Sequence, residues 1–159
     1  MRREEREVTN IDEIQGILDR AQVCRLALID GEYPYVIPMC FGYDLTEDKL
    51  VLYFHCAAKG KKLDLIKANN NAAFEIDSLN QIVTGDIACS FTALYESITG
   101  VGSVEIINGI EKLTGLNRIT SKYSTSSEHK YSEAMISSVV ILRLTAERFC
   151  CKANRGTEH

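Results

Sequence analysis

Residues 50–68, with the sequence LVLYFHCAAKGKKLDLIKA, change their hydrophobic period part-way along. The first six residues are apolar or aromatic apart from a histidine at the end, which is typical of a mostly buried β-strand. After the small residues CAAKG, Leu63, Leu65 and Ile66 recur at helical spacing. The sequence therefore predicts a strand that passes through a small-residue turn into a helix, and the rest of the chain has to be arranged around this unit.

The predicted helix begins with a concentration of positive charge. The first turn of a helix carries unpaired N–H groups and a partial positive charge, so lysine is unfavourable there unless an anion lies nearby. Lys59, Lys61 and Lys62 occupy this turn, and His55 ends the preceding strand. Together these groups predict a phosphate site. The alternative is a solvated helix face beside a structural histidine.

Composition bounds the class of protein. At 159 residues the chain is long enough for one domain with a real core, and we expect a single domain over residues 1–159. The 45% hydrophobic and 25% charged residues are typical of an ordered chain. The formal net charge of −4 argues against nucleic-acid binding. Because the sequence has neither a membrane-length apolar run nor the apolar region of a signal peptide, we expect a cytoplasmic protein without membrane contact.

The six cysteines show neither a CxxC pair nor zinc-type spacing, so we expect no metal site and mostly buried, reduced thiols without a catalytic role. Adjacent Cys150 and Cys151 leave a redox pair open, although a disulfide between chain neighbours is strained. Cys56 is the one thiol beside a positive neighbourhood that could activate it. The remaining cysteines are Cys24, Cys40 and Cys89.

Further strands and helices follow from the same periodicities. Either Thr9 or Asn10 can cap a first helix, with Glu13 at capping-box spacing from Asn10, and we expect this helix to cover one barrel mouth. Residues 23–30, 35–44 and 50–55 predict three strands joined as antiparallel hairpins. Pro38 lies inside the second of these, and proline is confined to strand edges or bulges, so the backbone there could face a ligand.

The second half of the chain adds three more strands. Residues 72–78 alternate as a strand, and the apolar run at 87–107 is long enough to require a bend at Gly100 and Gly102. Helical segments are predicted at residues 110–123 and 131–137, and a last strand at 139–145 extends past a bend at Ala146 and Glu147. About six antiparallel strands with few helices indicate a mainly β protein, a small β-barrel with flanking helices.

Three segments, YPYVIPMCFGYD, LYFHCAAKGKKLDLIKAN and YESITGVGSVE, lie in this order over roughly two thirds of the chain. In this the sequence resembles the nitroimidazole-resistance (Nim)-like branch of the pyridoxamine-phosphate-oxidase-like proteins. The resemblance implies a six-stranded antiparallel split barrel of the FMN-binding type. It further implies flavin mononucleotide (FMN) as the cofactor, held at a homodimer interface.

The resemblance also implies which residues contact the cofactor. One group lies along the isoalloxazine ring, a second surrounds the phosphate side, and a third approaches from a neighbouring strand, of the same subunit or its partner. From the residues alone, an ordinary buried strand and a strand ending at a glycine bend remain the alternatives for the first and third groups. The first group is Val36, Ile37, Pro38 and Met39, with Phe54; the second is His55, Gly60, Lys61 and Lys62; the third is Ser97 and Ile98.

The implied activity is that of a flavin-dependent oxidoreductase with a nitroaromatic or quinone-like electron acceptor. His55 is the candidate catalytic residue, as a proton donor or substrate ligand. Oxidation of pyridoxamine phosphate is disfavoured, because Lys61 stands where those oxidases have an arginine and the tail CCKANRGTEH lacks their arginine-containing segment. Two alternatives remain: a flavin carrier or sensor without turnover, and a haem-binding protein that uses His55, His129 or His159.

Overall fold

The structure, a computed structural model, describes residues 3–87, 90–126 and 129–156. Strands predominate over helices, and every strand ladder is antiparallel. The strands are β1 (Glu7–Val8), β2 (Cys24–Asp30), β3 (Tyr33–Met39), β4 (Gly42–Thr46), β5 (Lys49–Ala57), β6 (Asn71–Val83), β7 (Thr92–Ile107) and β8 (Val139–Asn154). The helices are α1 (Ile11–Arg20), α2 (Lys61–Ala68), α3 (Gly109–Tyr123) and α4 (Glu133–Ser138), preceded by a 3-10 turn at Glu4–Arg6.

The strands form one sheet in the order β3-β2-β6-β7-β8-β5-β4, and β1 pairs with the far end of β8. The two end strands, β3 and β4, are consecutive in the chain and are joined by Cys40 and Phe41. The expected mainly β, antiparallel barrel class is confirmed. The described strands number eight rather than six, because the predicted strand at 35–44 breaks at Cys40 and because β1 adds a short strand.

The core fills the inner face of the sheet. On β5 the side chains of Leu50, Leu52 and Phe54 are fully buried and pack with Leu142 and Leu144 of β8. The intervening residues Val51 and Tyr53 are buried on the opposite face under α3. The Leu50–Phe54 half of β5 is therefore covered on both sides, which explains its nearly continuous apolar sequence.

Helix α3 lies very close to β4. A Cβ atom added at Gly42 would lie 2.3 Å from the backbone carbon of Arg118, so only glycine fits at this contact. The predicted helix at 110–123 is thus present, and its C-terminal end is held against the β3–β4 connection by Tyr123.

A bulge in β8 produces the expected bend. Val101 pairs with Arg148 while Gly102 pairs with Ala146, so Glu147 is the extra residue. A Cβ atom at Gly102 would lie 2.0 Å from the carbonyl oxygen of Thr145. The glycine therefore permits the close approach that bends the two long strands together. Residues 88–89, inside the predicted run at 87–107, lie outside the described residues.

Helix α1 is capped as expected. The Asn10 side chain accepts hydrogen bonds from the N–H groups of Asp12 and Glu13, at 2.9 and 3.1 Å. The Glu13 carboxylate does not complete a capping box here, because it is paired with Arg155 at 2.9 Å. At the other end of α1, the Arg20 guanidinium donates two hydrogen bonds, of 2.9 and 2.8 Å, to the buried Glu96 of β7. None of the helices in the described part of the chain has both the length and the apolar character needed to cross a membrane.

The Arg20–Glu96 pair generates a stability prediction. Replacing Arg20 by Ala leaves the Glu96 carboxylate buried without its bidentate partner, which should lower the free energy of unfolding by about 1–3 kcal/mol. Arg155→Ala removes an exposed pair with Glu13 and serves as the matched control, with an expected loss of about 0–1 kcal/mol. Urea denaturation of both variants measures the difference. Equal losses in the two variants would contradict the assigned role of Glu96.

Candidate functional site

The barrel has a gap between β3 and β5. In the described part of the chain β3 pairs only with β2, so its other edge is free. The pairing of β5 with β4 ends at Tyr53, opposite Gly42, although its pairing with β8 continues to Ala57. A cavity of about 520 Å³ lies at this gap. Its lining residues are Ile37, Pro38, Met39, Cys40, His55, Cys56, Ala57, Lys62, Ser138 and Val139.

The free edge of β3 has an unusual set of hydrogen-bonding groups. In an antiparallel pair, alternate residues direct both N–H and C=O away from the partner strand. Residues 34, 36 and 38 of β3 belong to this outward set. This follows from the two-residue connection between Asp30 and Tyr33, and it agrees with the lack of an N–H at Pro34 and Pro38. Within this stretch the edge consequently offers three carbonyl acceptors and one donor, the N–H of Val36.

The structure brings five of the predicted site residues to the cavity and places the others elsewhere. Gly60 and Lys61 lie close by in sequence, at the start of α2, and Val36 is exposed on the outer face of β3. Phe54 and Ile98 have fully buried side chains in the barrel core. Ser97 lies on β7 opposite Asp77 of β6, so two strands separate it from β3. The five at the cavity are Ile37, Pro38, Met39, His55 and Lys62.

Helix α2 begins as the sequence predicts, directly after β5. Gly60 precedes the helix with a φ of 142°, in the region that favours glycine, and no side-chain hydrogen bond caps the first turn. The carbonyl of Gly60 accepts from the N–H of Leu63 at 2.9 Å. The N–H groups of Lys61 and Lys62 precede the first intrahelical bonds and are the donors that an anion could use.

The two lysines of this turn have different surroundings. Lys62 is half-buried and lines the cavity. The ammonium of Lys61 instead lies 2.5 Å from the Asp30 carboxylate and 5.2 Å from the centre of the Tyr35 ring. The hydrogen bond to Asp30 raises the pKa of Lys61 above its ordinary value. Lys62 is therefore the lysine that the cavity contains.

His55 is exposed because of its position along β5. It follows Val51 and Tyr53 on the face that α3 covers, but it lies beyond the end of that cover. On β8 it pairs with Ile141. The imidazole is thus on a rigid strand, open to solvent and beside the cavity, an arrangement that suits proton exchange with a bound molecule.

The cysteines in the described part of the chain are all free thiols. Cys150 lies 3.3 Å from the Thr99 hydroxyl, while Cys151 is buried; successive strand residues point to opposite faces, which disfavours a disulfide between them. Burial raises the pKa of Cys24 and Cys151 to about 12. It also raises the pKa of Cys56, against a smaller lowering by Lys62.

Sequence reasoning missed the group that holds the cavity wall. The Tyr123 hydroxyl accepts a hydrogen bond from the Phe41 N–H at 3.0 Å and donates one to the Gln22 carbonyl at 2.7 Å. Burial raises the pKa of Tyr123 to about 12, so the hydroxyl keeps its proton. Tyr123 thereby fixes the connection that carries Cys40. Because the bond joins residues 82 positions apart, no local pattern could have predicted it.

Cys40, Ser138 and Val139 are further lining residues that the sequence did not single out. Cys40 is exposed, whereas Ser138 and Val139 come from the junction of α4 and β8. Over residues 3–87, 90–126 and 129–156, no three His, Cys, Asp or Glu side chains cluster closely enough to hold a metal ion.

Comparison with known proteins identifies the family. The sequence model of the family described as pyridoxamine 5'-phosphate oxidase matches residues 10–152. The chain belongs to this family. The family expected from the three sequence segments is thereby confirmed. No curated protein matches the sequence significantly.

Solved structures similar to this chain include a candidate 5-nitroimidazole antibiotic resistance protein from Bacteroides thetaiotaomicron. It is 28% identical to this chain, with a TM-score of 0.78, over 92% of this chain and 86% of the other. A FAD- and haem-binding protein from Mycobacterium smegmatis is 19% identical, with a TM-score of 0.79, over 97% and 76%. The flavocytochrome Anf3 from Azotobacter vinelandii is 17% identical, with a TM-score of 0.79, over 98% and 72%. The last two similarities establish a shared fold.

Thiol reactivity should follow the burial described above. At pH 8, Cys40 is expected to react with iodoacetamide about tenfold faster or more than Cys24 and Cys151, because burial raises their pKa and blocks access. A Cys89→Ser background removes the cysteine that lies outside the described residues. Peptide mass spectrometry over a time course gives the individual rates. Similar rates for all three thiols would contradict the burial pattern.

Proposed function

We propose that the protein binds FMN in the cavity between β3 and β5 and acts as a flavin-dependent reductase. The observation that carries the proposal is the composition of this cavity, which combines a free strand edge, an exposed imidazole at His55 and a cationic helix start at Lys62. Pockets with apolar walls and a few convergent polar groups are the usual sites of small ligands. Family membership adds independent support.

The residues present fit the chemistry of a flavin mononucleotide. The edge of β3 offers the Val36 N–H and neighbouring carbonyls to the polar edge of the isoalloxazine, while Ile37 and Pro38 offer apolar contact. Lys62 and the N–H groups at the start of α2 suit the phosphate. When bound, FMN supplies the electron transfer, and the protein supplies binding and orientation.

His55 has the position of a proton donor in this scheme. Its exposed imidazole can hold a proton on a ring nitrogen and deliver it to a substrate bound beside it. The alternative role is that of a second phosphate ligand, close to Lys62. We propose a nitroaromatic or quinone-like acceptor, a choice supported by the description of the Bacteroides protein.

Other cofactor assignments have distinct signatures. One structurally similar protein is described as binding FAD and haem, and another as a flavocytochrome. Among the described residues, His55 is the histidine that lines the cavity and could serve there as a haem ligand. A flavin carrier or sensor without turnover is the other alternative. The visible absorption spectrum of the purified protein separates flavin from haem, and chromatography of the released cofactor separates FMN from FAD. Turnover with NADPH and an added acceptor separates a reductase from a carrier.

The phosphate contacts generate a binding prediction. Replacing Lys61 and Lys62 together by Ala removes the cationic side chains at the start of α2 that would contact the phosphate, so FMN affinity should fall by about two powers of ten or more. The fold should survive, because both lysines lie on the surface turn of α2 rather than in the core. Equilibrium titration with FMN, accompanied by thermal unfolding as the control for folding, makes the measurement. Unchanged affinity in the double variant would contradict the phosphate site.

FMN titration, combined with measurement of turnover, distinguishes a proton-donor role of His55 from a phosphate-ligand role. As a proton donor, His55→Ala should retain FMN while turnover falls by about a hundredfold or more. As a phosphate ligand, its loss should weaken FMN binding, and excess FMN should restore turnover. Cys56→Ser is the matched control at the next position of β5, where the side chain is buried, and it should keep both properties.

We also propose a homodimer in which the outer face of the sheet is covered by a second copy. This face exposes Val36 and Ile29 beside a shallow cavity of about 540 Å³ that is lined by small residues such as Ala27 and Ala73. A barrel of this size surrounds only part of a flavin, and the open gap beside β3 leaves room for a partner to complete the site.

The β6–β7 hairpin continues the outer face of the sheet beyond the ion pairs of Arg25 with Glu75 and Asp77. Asn80 is skipped in the pairing of β6 with β7, so that Leu79 faces Tyr95 and Ile82 faces Ala93. This bulge keeps Leu79 and Ile82 on one face, where both are exposed. Exposed apolar side chains at the end of a projecting hairpin, together with an apolar groove on the same sheet face, support packing between two identical copies.

Sedimentation tests the dimer. The protein should sediment as a dimer at micromolar concentration, and Leu79→Asp combined with Ile82→Asp should shift it to a monomer because two charges would be buried at the interface. Ile110→Asp, at an exposed position on α3, which packs against β4 and β5 rather than against the β6–β7 hairpin, is the matched control and should remain dimeric. A flavin-loaded monomer of the unsubstituted protein would contradict the proposal.

A further inference from the structure

Lys61, the first residue of α2, is already engaged with an anion of the protein itself. Its ammonium lies 2.5 Å from an Asp30 carboxylate oxygen and 5.2 Å from the centre of the Tyr35 ring. Asp30 is the last residue of β2, adjacent to the tight turn at Gly31. An incoming anion at the start of α2 therefore meets a lysine whose charge is partly neutralised.

Lys62 is in the contrasting situation. Successive helical residues point about 100° apart around the axis, which takes the two ammonium groups in different directions. Lys62 lines the cavity beside His55, whereas Lys61 turns toward the β2–β3 hairpin. Lys61 and Lys62 thus differ in their availability to an anion in the cavity, although they are adjacent in sequence.

We propose that Asp30 is an affinity-setting residue that competes with a phosphate monoester for the Lys61 ammonium. The inference rests on the proposed function, because it takes the ligand phosphate to bind at the start of α2. The competition favours a ligand with more than one negative charge, since a phosphate monoester carries about −1.5 to −2 at neutral pH whereas Asp30 carries −1. A singly charged anion offers Lys61 no more than Asp30 already does.

The exposure of the pair makes such an exchange feasible. The side chains of Lys61 and Asp30 are 55% and 34% exposed, so water screens the pair. The closed pair is therefore favoured over the open one by about fivefold or less. The hydrogen bond to Asp30 raises the pKa of Lys61, and a lysine ammonium is charged at neutral pH even without that contact. Lys61 thus stays cationic and can change partner at small cost.

An opposite role for Asp30 predicts an opposite result. If the carboxylate held Lys61 in the orientation that phosphate requires, its removal would weaken binding. Under competition, removing its charge frees Lys61 for the phosphate. Asn is well tolerated next to a turn, so Asp30→Asn isolates the charge with little change in backbone preference.

The test compares FMN with riboflavin, which lacks the phosphate. Asp30→Asn should tighten FMN binding about two- to fivefold and leave riboflavin binding unchanged. Glu32→Gln, which removes an exposed charge two residues away, is the matched control and should change neither. In a Lys61→Ala background the gain from Asp30→Asn should disappear, because a double-mutant cycle reports coupling between the two side chains.

Several outcomes overturn the inference. Unchanged or weaker FMN binding in Asp30→Asn excludes competition, and a gain that persists without Lys61 shows general repulsion instead. Equal affinities for FMN and riboflavin in the unsubstituted protein would refute the phosphate part of the proposed function. Inorganic phosphate, titrated while the amide signals of Lys61 and Lys62 are followed by NMR, then tests Asp30 without a flavin. Tighter phosphate binding in Asp30→Asn supports the inference, and unchanged binding overturns it.

Discussion

The candidate site exists because β4 stops pairing with β5 at Gly42. Phe41, the residue before it, is fully buried, and its N–H is bound by the Tyr123 hydroxyl rather than by a strand. Gly42 itself allows the backbone of α3 to approach closer than any side chain would permit. Helix α3 therefore determines where β4 begins. The second half of β5 is left with a free edge, and this edge and that of β3 border the cavity.

Local patterns predicted the elements on either side of this gap but not the gap itself. The strand-to-helix change after His55, the cap at Asn10 and the bend near Glu147 each depend on neighbours in sequence, and each is present. The stretch YVIPMCFGYD is β-prone apart from Pro38 and Gly42, and these two residues do not locate the break at Cys40. The break depends on Tyr123, a tertiary partner far along the chain, which is beyond the reach of periodicity.

The positions of the site residues likewise depend partly on neighbours in sequence and partly on tertiary contacts. His55 and Lys62 reach the cavity because β5 leads directly into α2, a local arrangement that the sequence shows. Phe54 is in the core, as its alternation with His55 in the strand already indicates. The separation of Lys61 from Lys62 was not predictable, because the partner of Lys61 is Asp30 on a different hairpin. A sequence shows how many lysines a segment contains, but only the tertiary structure shows which acidic residues pair with them.

The free edge of β3 also explains why a small ligand, rather than another strand, would occupy the gap. Exposed strand edges invite pairing with other chains, and proline is one of the devices that prevent it. Pro34 and Pro38 remove two of the three outward N–H donors in their stretch. An incoming strand would therefore find no donor for two of its own carbonyl groups. A planar heterocycle needs only a short run of such groups, and the Val36 N–H with its adjacent carbonyls can meet that need. The same prolines thus disfavour pairing of this edge with another strand.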